Sequence, residues 1–159
     1  MGKVLAFEEL KRIRESLRRE GKKVVFTNGC FDIIHRGHIE YLTRAKALGD
    51  VLIVGVNADT SVRRIKGQHR PIVTEADRAY IVANLSPVDY ACIFAEDTPH
   101  ELIGSIVPDV LVKGADWKID EIVGKDVVER AGGTVATIEF VADRSSTNII
   151  ERIVERFSH

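Results

Sequence analysis

No apolar stretch in this chain approaches the roughly 20 residues that a membrane-crossing helix needs, and nothing at its start resembles a secretory leader. A cytoplasmic protein with no membrane partner is expected. Cysteine is scarce. Cys30 and Cys92 lack metal-ligand spacing and are too few for a disulfide framework, which suits a reducing compartment. No charge of one sign dominates: 23 Lys plus Arg stand against 24 Asp plus Glu, so no long-range field draws the chain to nucleic acid and any polyanion site must be local. Aromatics are few, at six Phe, three Tyr and one Trp, leaving little material for a cage around a quaternary ammonium. The sequence also lacks both a GxxxxGKS/T loop and a GxGxxG turn after a strand, which argues against a P-loop kinase and a dinucleotide-dependent dehydrogenase.

What is present is the balance of an ordinary folded domain, 45% hydrophobic and 30% charged over 159 residues. A single domain over residues 1–159 is expected, with an N-terminal helix in 1–21 and an α/β core in 22–159. Phe7, Leu10, Ile13 and Leu17 fall at helical spacing, with Lys11, Arg12, Arg14, Arg18 and Arg19 largely on the solvent side. Short β-branched runs follow at 24–26, 51–54, 90–94, 110–112 and 135–138. Between and after them, helical patterns occupy about 38–48, 59–65, 75–84, 99–106, 119–131 and 146–157. Continuous apolar strands alternating with helices imply a parallel sheet covered on both faces. The expected architecture is a doubly wound, Rossmann-like sheet of five strands in the order 3-2-1-4-5. The segment from Gly67 to Thr74 is the expected mobile loop.

The chemistry concentrates after the first strand, in Asn28-Gly29-Cys30-Phe31-Asp32-Ile33-Ile34-His35-Arg36-Gly37-His38. A strand, a glycine-containing turn and a helix start together form an anion site, because unpaired backbone N–H groups and the positive end of the helix dipole converge there. Gly29 and Gly37 let a phosphate approach the backbone, and His35 and His38 add side-chain donors. A metal held by those two histidines would need further ligands. A second stretch, Lys113-Gly114-Ala115-Asp116-Trp117, ends the fourth strand: Lys113 offers a point charge to a phosphate, Gly114 close approach, and Asp116 an acceptor for a ribose or base. In a doubly wound sheet both stretches open onto one crevice at the strands' carboxyl ends. A third, Asp143-Arg144-Ser145-Ser146-Thr147-Asn148, precedes an amphipathic helix, where Ser and Thr are also preferred N-caps. Asn57, Asp59, Lys66, Arg70 and Arg78 surround a loop that could neutralise a triphosphate and an acceptor phosphate.

The run Gly29-Cys30-Phe31-Asp32-x-x-His35-x-Gly37-His38 resembles the GxFDxxHxGH signature of the cytidylyltransferase-like nucleotidyltransferase superfamily, with Cys30 in place of the commoner Thr. The resemblance covers about residues 23–157. It implies that His35 and His38 contact a triphosphate and stabilise the transition state at its α-phosphorus, with Lys113 as the third catalytic group. It also implies a nucleotide site made of Asn28, Gly29, Cys30, Phe31, Asp32, Gly37, Asn57, Arg78, Gly114, Asp116, Ser145, Ser146 and Thr147. In that pattern Ser145, Ser146 and Thr147 hold the β- and γ-phosphates. The family's closing Arg is here Ile150, which leaves Arg152 or Arg144 as its substitute. Lys66 and Arg70 fall to the acceptor side. Within the superfamily, the stretches 70–72, 88–90, 98–103, 108–117 and 145–153 resemble the adenylyltransferases of D-glycero-β-D-manno-heptose 1-phosphate. That likeness implies ATP and a phosphorylated sugar as substrates, Mg²⁺ carried mainly by the ATP phosphates, ADP-heptose and pyrophosphate as products, and a homodimer as the superfamily's common state. A CTP-dependent enzyme acting on glycerol 3-phosphate and a non-catalytic nucleotide-binding module are the alternatives.

Overall fold

The computed structural model describes residues 1–142 and 144–158. Its centre is β2 (Val24–Gly29), which pairs in parallel with β3 (Val51–Asn57) on one side and β5 (Val110–Gly114) on the other. Beyond β3 lies β4 (Tyr90–Phe94), and beyond β5 lies β6 (Thr134–Ile138). A short β1 (Lys3–Val4) adds to the outer edge of β4, so the parallel sheet has six strands in the order β1-β4-β3-β2-β5-β6. The expected five strands in the order 3-2-1-4-5 are corrected by this extra edge. Two exposed residues carry no alternation to read, and β1 exists because Lys3 and Leu5 donate their N–H groups to Asp89 and Ala91 carbonyls.

The strands alternate their side chains between two cores, as the pleat requires. Val25, Leu52, Val54, Ala91, Val110 and Val112 point to one face. There they meet Tyr41, Leu42 and Ala45 of α2 (Arg36–Lys46) and Ala79, Val82 and Ala83 of α4 (Glu75–Ala83). Val24, Phe26, Ile53, Cys92 and Leu111 point to the other. They meet Leu10 and Leu17 of α1 (Phe7–Arg19), Leu102, Ile103 and Ile106 of α5 (His100–Ile106), and Val128 of α6 (Lys125–Arg130). Connections therefore leave β2 toward β3 over one face and return from β4 to β5 over the other, which places a crevice at the carboxyl ends of β2 and β5. The remaining helices are α3 (Asp59–Lys66) and α7 (Ser146–Phe157).

Two local expectations fail for physical reasons. Arg14 is buried, not solvent-facing: its guanidinium donates to the Ile106 and Val107 carbonyls at the C-terminal end of α5 and pairs with Asp109 at 3.2 Å. The apolar pattern at 119–131 does not run as one helix. Gly124, at φ +87°, breaks it into a single 3-10 turn at Ile119–Glu121 and α6.

Candidate functional site

Helix α2 starts two residues earlier than the apolar pattern suggests, so the histidine motif lies on its first turn. His35 is the N-cap, in extended conformation, and its Nδ1 accepts the Gly37 N–H at 3.1 Å. His38, three residues on, returns the bond: its Nδ1 accepts the His35 N–H at 3.3 Å. This is a capping box made from imidazoles. Because each Nδ1 is an acceptor, the neutral rings carry their proton on Nε2. Neither Nε2 has a hydrogen-bond partner among the described residues, the ring centroids are 3.9 Å apart, and both rings line one cavity. Burial pushes His38 down to about 4, helped by the neighbouring His35. Burial likewise lowers His35, with the Arg144 charge adding to it. The pair is thus two neutral N–H donors at neutral pH.

Lys113 faces them from the end of β5. Its ammonium donates to Asn28 Oδ1 at the end of β2 and lies 5.8 Å from the centroid of the Trp117 ring. Burial lowers it to about 8, although Asp116 pulls the other way. The cavity between these groups measures about 620 Å³, the size of a small-molecule site. Its wall includes Asn28, Gly29, Cys30, Asp32, Gly37, Asn57, Lys66 and Arg70, with Ser145, Ser146 and Thr147 at the start of α7. Ser145 caps α7 by accepting the Asn148 N–H at 3.0 Å, and the Ser146 hydroxyl donates to the Ile33 carbonyl. Capping and cavity lining therefore coexist there. Asp143, from the same turn, lies outside the described residues.

Four of the residues expected in the nucleotide site are not on the cavity wall. Phe31 is buried, and Asp116 is exposed. Gly114 leaves room for a protein ring instead of a ligand: a Cβ there would stand 2.0 Å from Cε2 of Phe140. Arg78, expected to reach a nucleotide, is fully buried beneath the floor. It donates to the Cys30, Asn57 and Val73 carbonyls and pairs with Asp59 at 2.8 Å, so its donors are spent on joining β2, β3 and the 70–73 segment.

Asp32 does line the cavity, yet its carboxylate is committed to the protein. It accepts the Ile72 and Val73 N–H groups and pairs with Arg70 at 2.5 Å. Burial would raise its pKa, but these hydrogen bonds outweigh that and hold the carboxyl below its ordinary value. The Gly67–Thr74 segment is in this way tied to the loop between β2 and α2. Sequence reasoning missed Phe140, Ile65, Val123 and the Asp97–Pro99 turn as cavity residues. Nothing in their types announces a ligand, and only the topology brings them there.

No cluster of three His, Cys, Asp or Glu side chains suited to a metal occurs among the described residues. The wall offers neutral imidazoles, two amides and cations, and its two carboxylates are already paired, Asp32 with Arg70 and Asp97 with Arg64. Such a donor set does not build a protein cage, but it suits a cation that arrives already coordinated by phosphates.

The model of the cytidylyltransferase-like family matches residues 26–152. The chain is 53% identical over 155 residues to a protein named bifunctional protein HldE from Syntrophotalea carbinolica, covering 98% of this chain and 32% of that protein. A namesake from Nitratiruptor is 55% identical over 147 residues, covering 92% of this chain and 31% of its own length. The chain thus spans about a third of the length of these curated relatives. Among solved structures, the lipopolysaccharide core biosynthesis protein from Thermoplasma volcanium is 35% identical with a TM-score of 0.63, covering 76% of this chain and 98% of that one. Pantoate-beta-alanine ligase from Francisella tularensis, 15% identical, covers 98% of this chain and 80% of its own at a TM-score of 0.63, a likeness of fold alone. With the family model covering most of its length and the histidine motif seated on the first turn of α2, the chain belongs to the cytidylyltransferase-like family.

Proposed function

We propose that the chain transfers the adenylyl group of ATP to the phosphate of D-glycero-β-D-manno-heptose 1-phosphate, giving ADP-heptose and pyrophosphate. The observation that carries the reading is the His35–His38 pair, two capped rings whose free Nε2–H groups share a cavity with Lys113. An acceptor phosphate oxygen attacks the α-phosphorus in line. As the new P–O bond forms, the bond to the bridging oxygen breaks and pyrophosphate leaves with its electron pair. The attacking phosphate is already ionised at neutral pH, so the reaction needs no strong base. It needs donors placed where negative charge gathers on the non-bridging and bridging oxygens. His35 and His38 supply two neutral donors and Lys113 a cation, all held by the backbone or by Asn28 before substrate arrives.

Ser145, Ser146 and Thr147 at the start of α7 hold the β- and γ-phosphates, where backbone N–H groups and the helix dipole favour anions. Lys66 and Arg70, on the cavity wall, face the acceptor phosphate. Mg²⁺ bound to the phosphates would neutralise part of their charge, and the triphosphate would supply most of its ligands. The sugar acceptor is supported by the signature stretches, by relatives that share the name HldE, and by the likeness to the lipopolysaccharide core biosynthesis protein from Thermoplasma volcanium. A screen of pyrophosphate release tests the reading: release should require ATP and the heptose 1-phosphate together. Equal release with CTP and glycerol 3-phosphate would contradict it.

A further inference from the structure

Two aromatic rings on the cavity wall are about half exposed, Trp117 at 49% and Phe140 at 52%. The Trp117 ring already has the Lys113 ammonium near it. Phe140 is engaged from behind and along one edge. It stacks on Tyr41 with ring centroids 5.2 Å apart and planes 27° from parallel. Tyr41 is itself buried, and its hydroxyl shares a 2.8 Å hydrogen bond with Thr27 on β2. One edge of the Phe140 ring fills the space beside Gly114, where no Cβ intrudes. The back and one edge of the ring are fixed, while the rest is open toward the cavity.

A rigid aromatic surface in a wall otherwise rich in phosphate-binding groups calls for a flat apolar partner. Of the parts of a nucleoside triphosphate, only the base has one. The triphosphate is drawn to His35, His38 and the start of α7, and Phe140 follows β6, beside the Lys113 strand. We infer that Phe140, backed by Tyr41 and admitted by Gly114, is the platform on which the nucleobase stacks. This rests on the reading of the cavity as a nucleoside triphosphate site. The platform recognises a π face, so it strengthens binding of any base, and choice among bases falls to other groups.

The test compares ligands with and without a base. Affinities of ATP, CTP, GTP, UTP and inorganic tripolyphosphate are measured by calorimetry for the intact chain, Phe140→Leu and Phe140→Tyr. Leucine keeps apolar packing on Tyr41 but has no flat face, and tyrosine keeps both. For the nucleotide that the intact chain binds best, Phe140→Leu should lose roughly five- to a hundredfold in affinity, the span of one base–aromatic stack. Tripolyphosphate affinity should stay within about twofold, and Phe140→Tyr should match the intact chain for both ligands. Equal losses for nucleotide and tripolyphosphate would mark Phe140 as a structural prop and overturn the inference. So would an unchanged nucleotide affinity in Phe140→Leu, or an intact chain that binds no nucleotide better than tripolyphosphate. Preference for CTP over ATP would instead contradict adenylyl transfer, and the same Phe140 comparison made with CTP would still decide the platform.

Discussion

His35 and His38 cap one helix turn reciprocally, each through Nδ1, which leaves both Nε2 atoms at the cavity without a partner among the described residues. The spacing of the motif is therefore the spacing of a capping box, and the groups that fix the rings are not the groups offered to substrate. This separates fold from chemistry at His35. Asparagine caps a helix well but has no equivalent of Nε2–H, so His35→Asn should keep stability within about 1 kcal/mol. It should lose roughly a hundred- to a thousandfold in kcat, the usual loss on removing one preorganised donor. Urea titration and steady-state kinetics on the same preparation check this. Full activity in a folded His35→Asn would remove the donor role.

The buried imidazole of His38 makes stability depend on pH. Its folded pKa of about 4 lies below the ordinary value of 6.5, so between those values the unfolded chain binds a proton that the folded chain refuses. Its contribution is complete above the unfolded pKa and is lost progressively as pH falls toward 4. The lowered His35 pKa acts in the same direction. Urea midpoints measured from pH 7 to pH 4 should fall less steeply for His38→Asn than for the intact chain. Parallel curves would contradict the assignment.

Much of this site could be read in the sequence, because anion-binding turns and helix starts are local. The strand that ends at Gly29, the turn after it and the helix after His35 lie within one stretch of chain, so residue type and spacing reveal them. Arg78 could not be read that way. Its place under the floor depends on carbonyls from Cys30, Asn57 and Val73, which only the assembled sheet brings together. The same holds for Phe140, whose position depends on a gap beside Gly114 on the adjacent strand. In the fold, apolar runs revealed the five main strands, whereas β1 is held by backbone pairing that leaves no trace in side chains.

Lys113 should impose an alkaline limb. With its pKa lowered to about 8, the ammonium is lost as pH rises through that value, so kcat/KM for the nucleotide should fall above pH 8. A bound triphosphate raises the pKa, which moves the corresponding limb of kcat to higher pH. In Lys113→Arg the charge persists throughout, and the limb near pH 8 should vanish even if the overall rate is lower. A limb unchanged in Lys113→Arg would show that another group titrates there.

Arg78 should behave as a structural cation. Truncation to Ala removes a fully buried guanidinium and strands three carbonyls and Asp59, so stability should drop by roughly 3–5 kcal/mol. Lysine cannot span the same partners and should recover only part of the loss. Denaturant unfolding measures both. Near-native stability with lost nucleotide affinity would return Arg78 to the triphosphate.

The most direct test of adenylyl transfer follows the α-phosphorus. Purified chain is incubated with Mg²⁺, D-glycero-β-D-manno-heptose 1-phosphate and ATP radiolabelled at either the α- or the γ-phosphorus, and the nucleotide product is identified by mass. The account predicts ADP-heptose carrying the α-label, with the γ-label appearing only in pyrophosphate. A sugar product carrying the γ-label, or CDP-glycerol as the dominant product when CTP and glycerol 3-phosphate are added in competition, would contradict it.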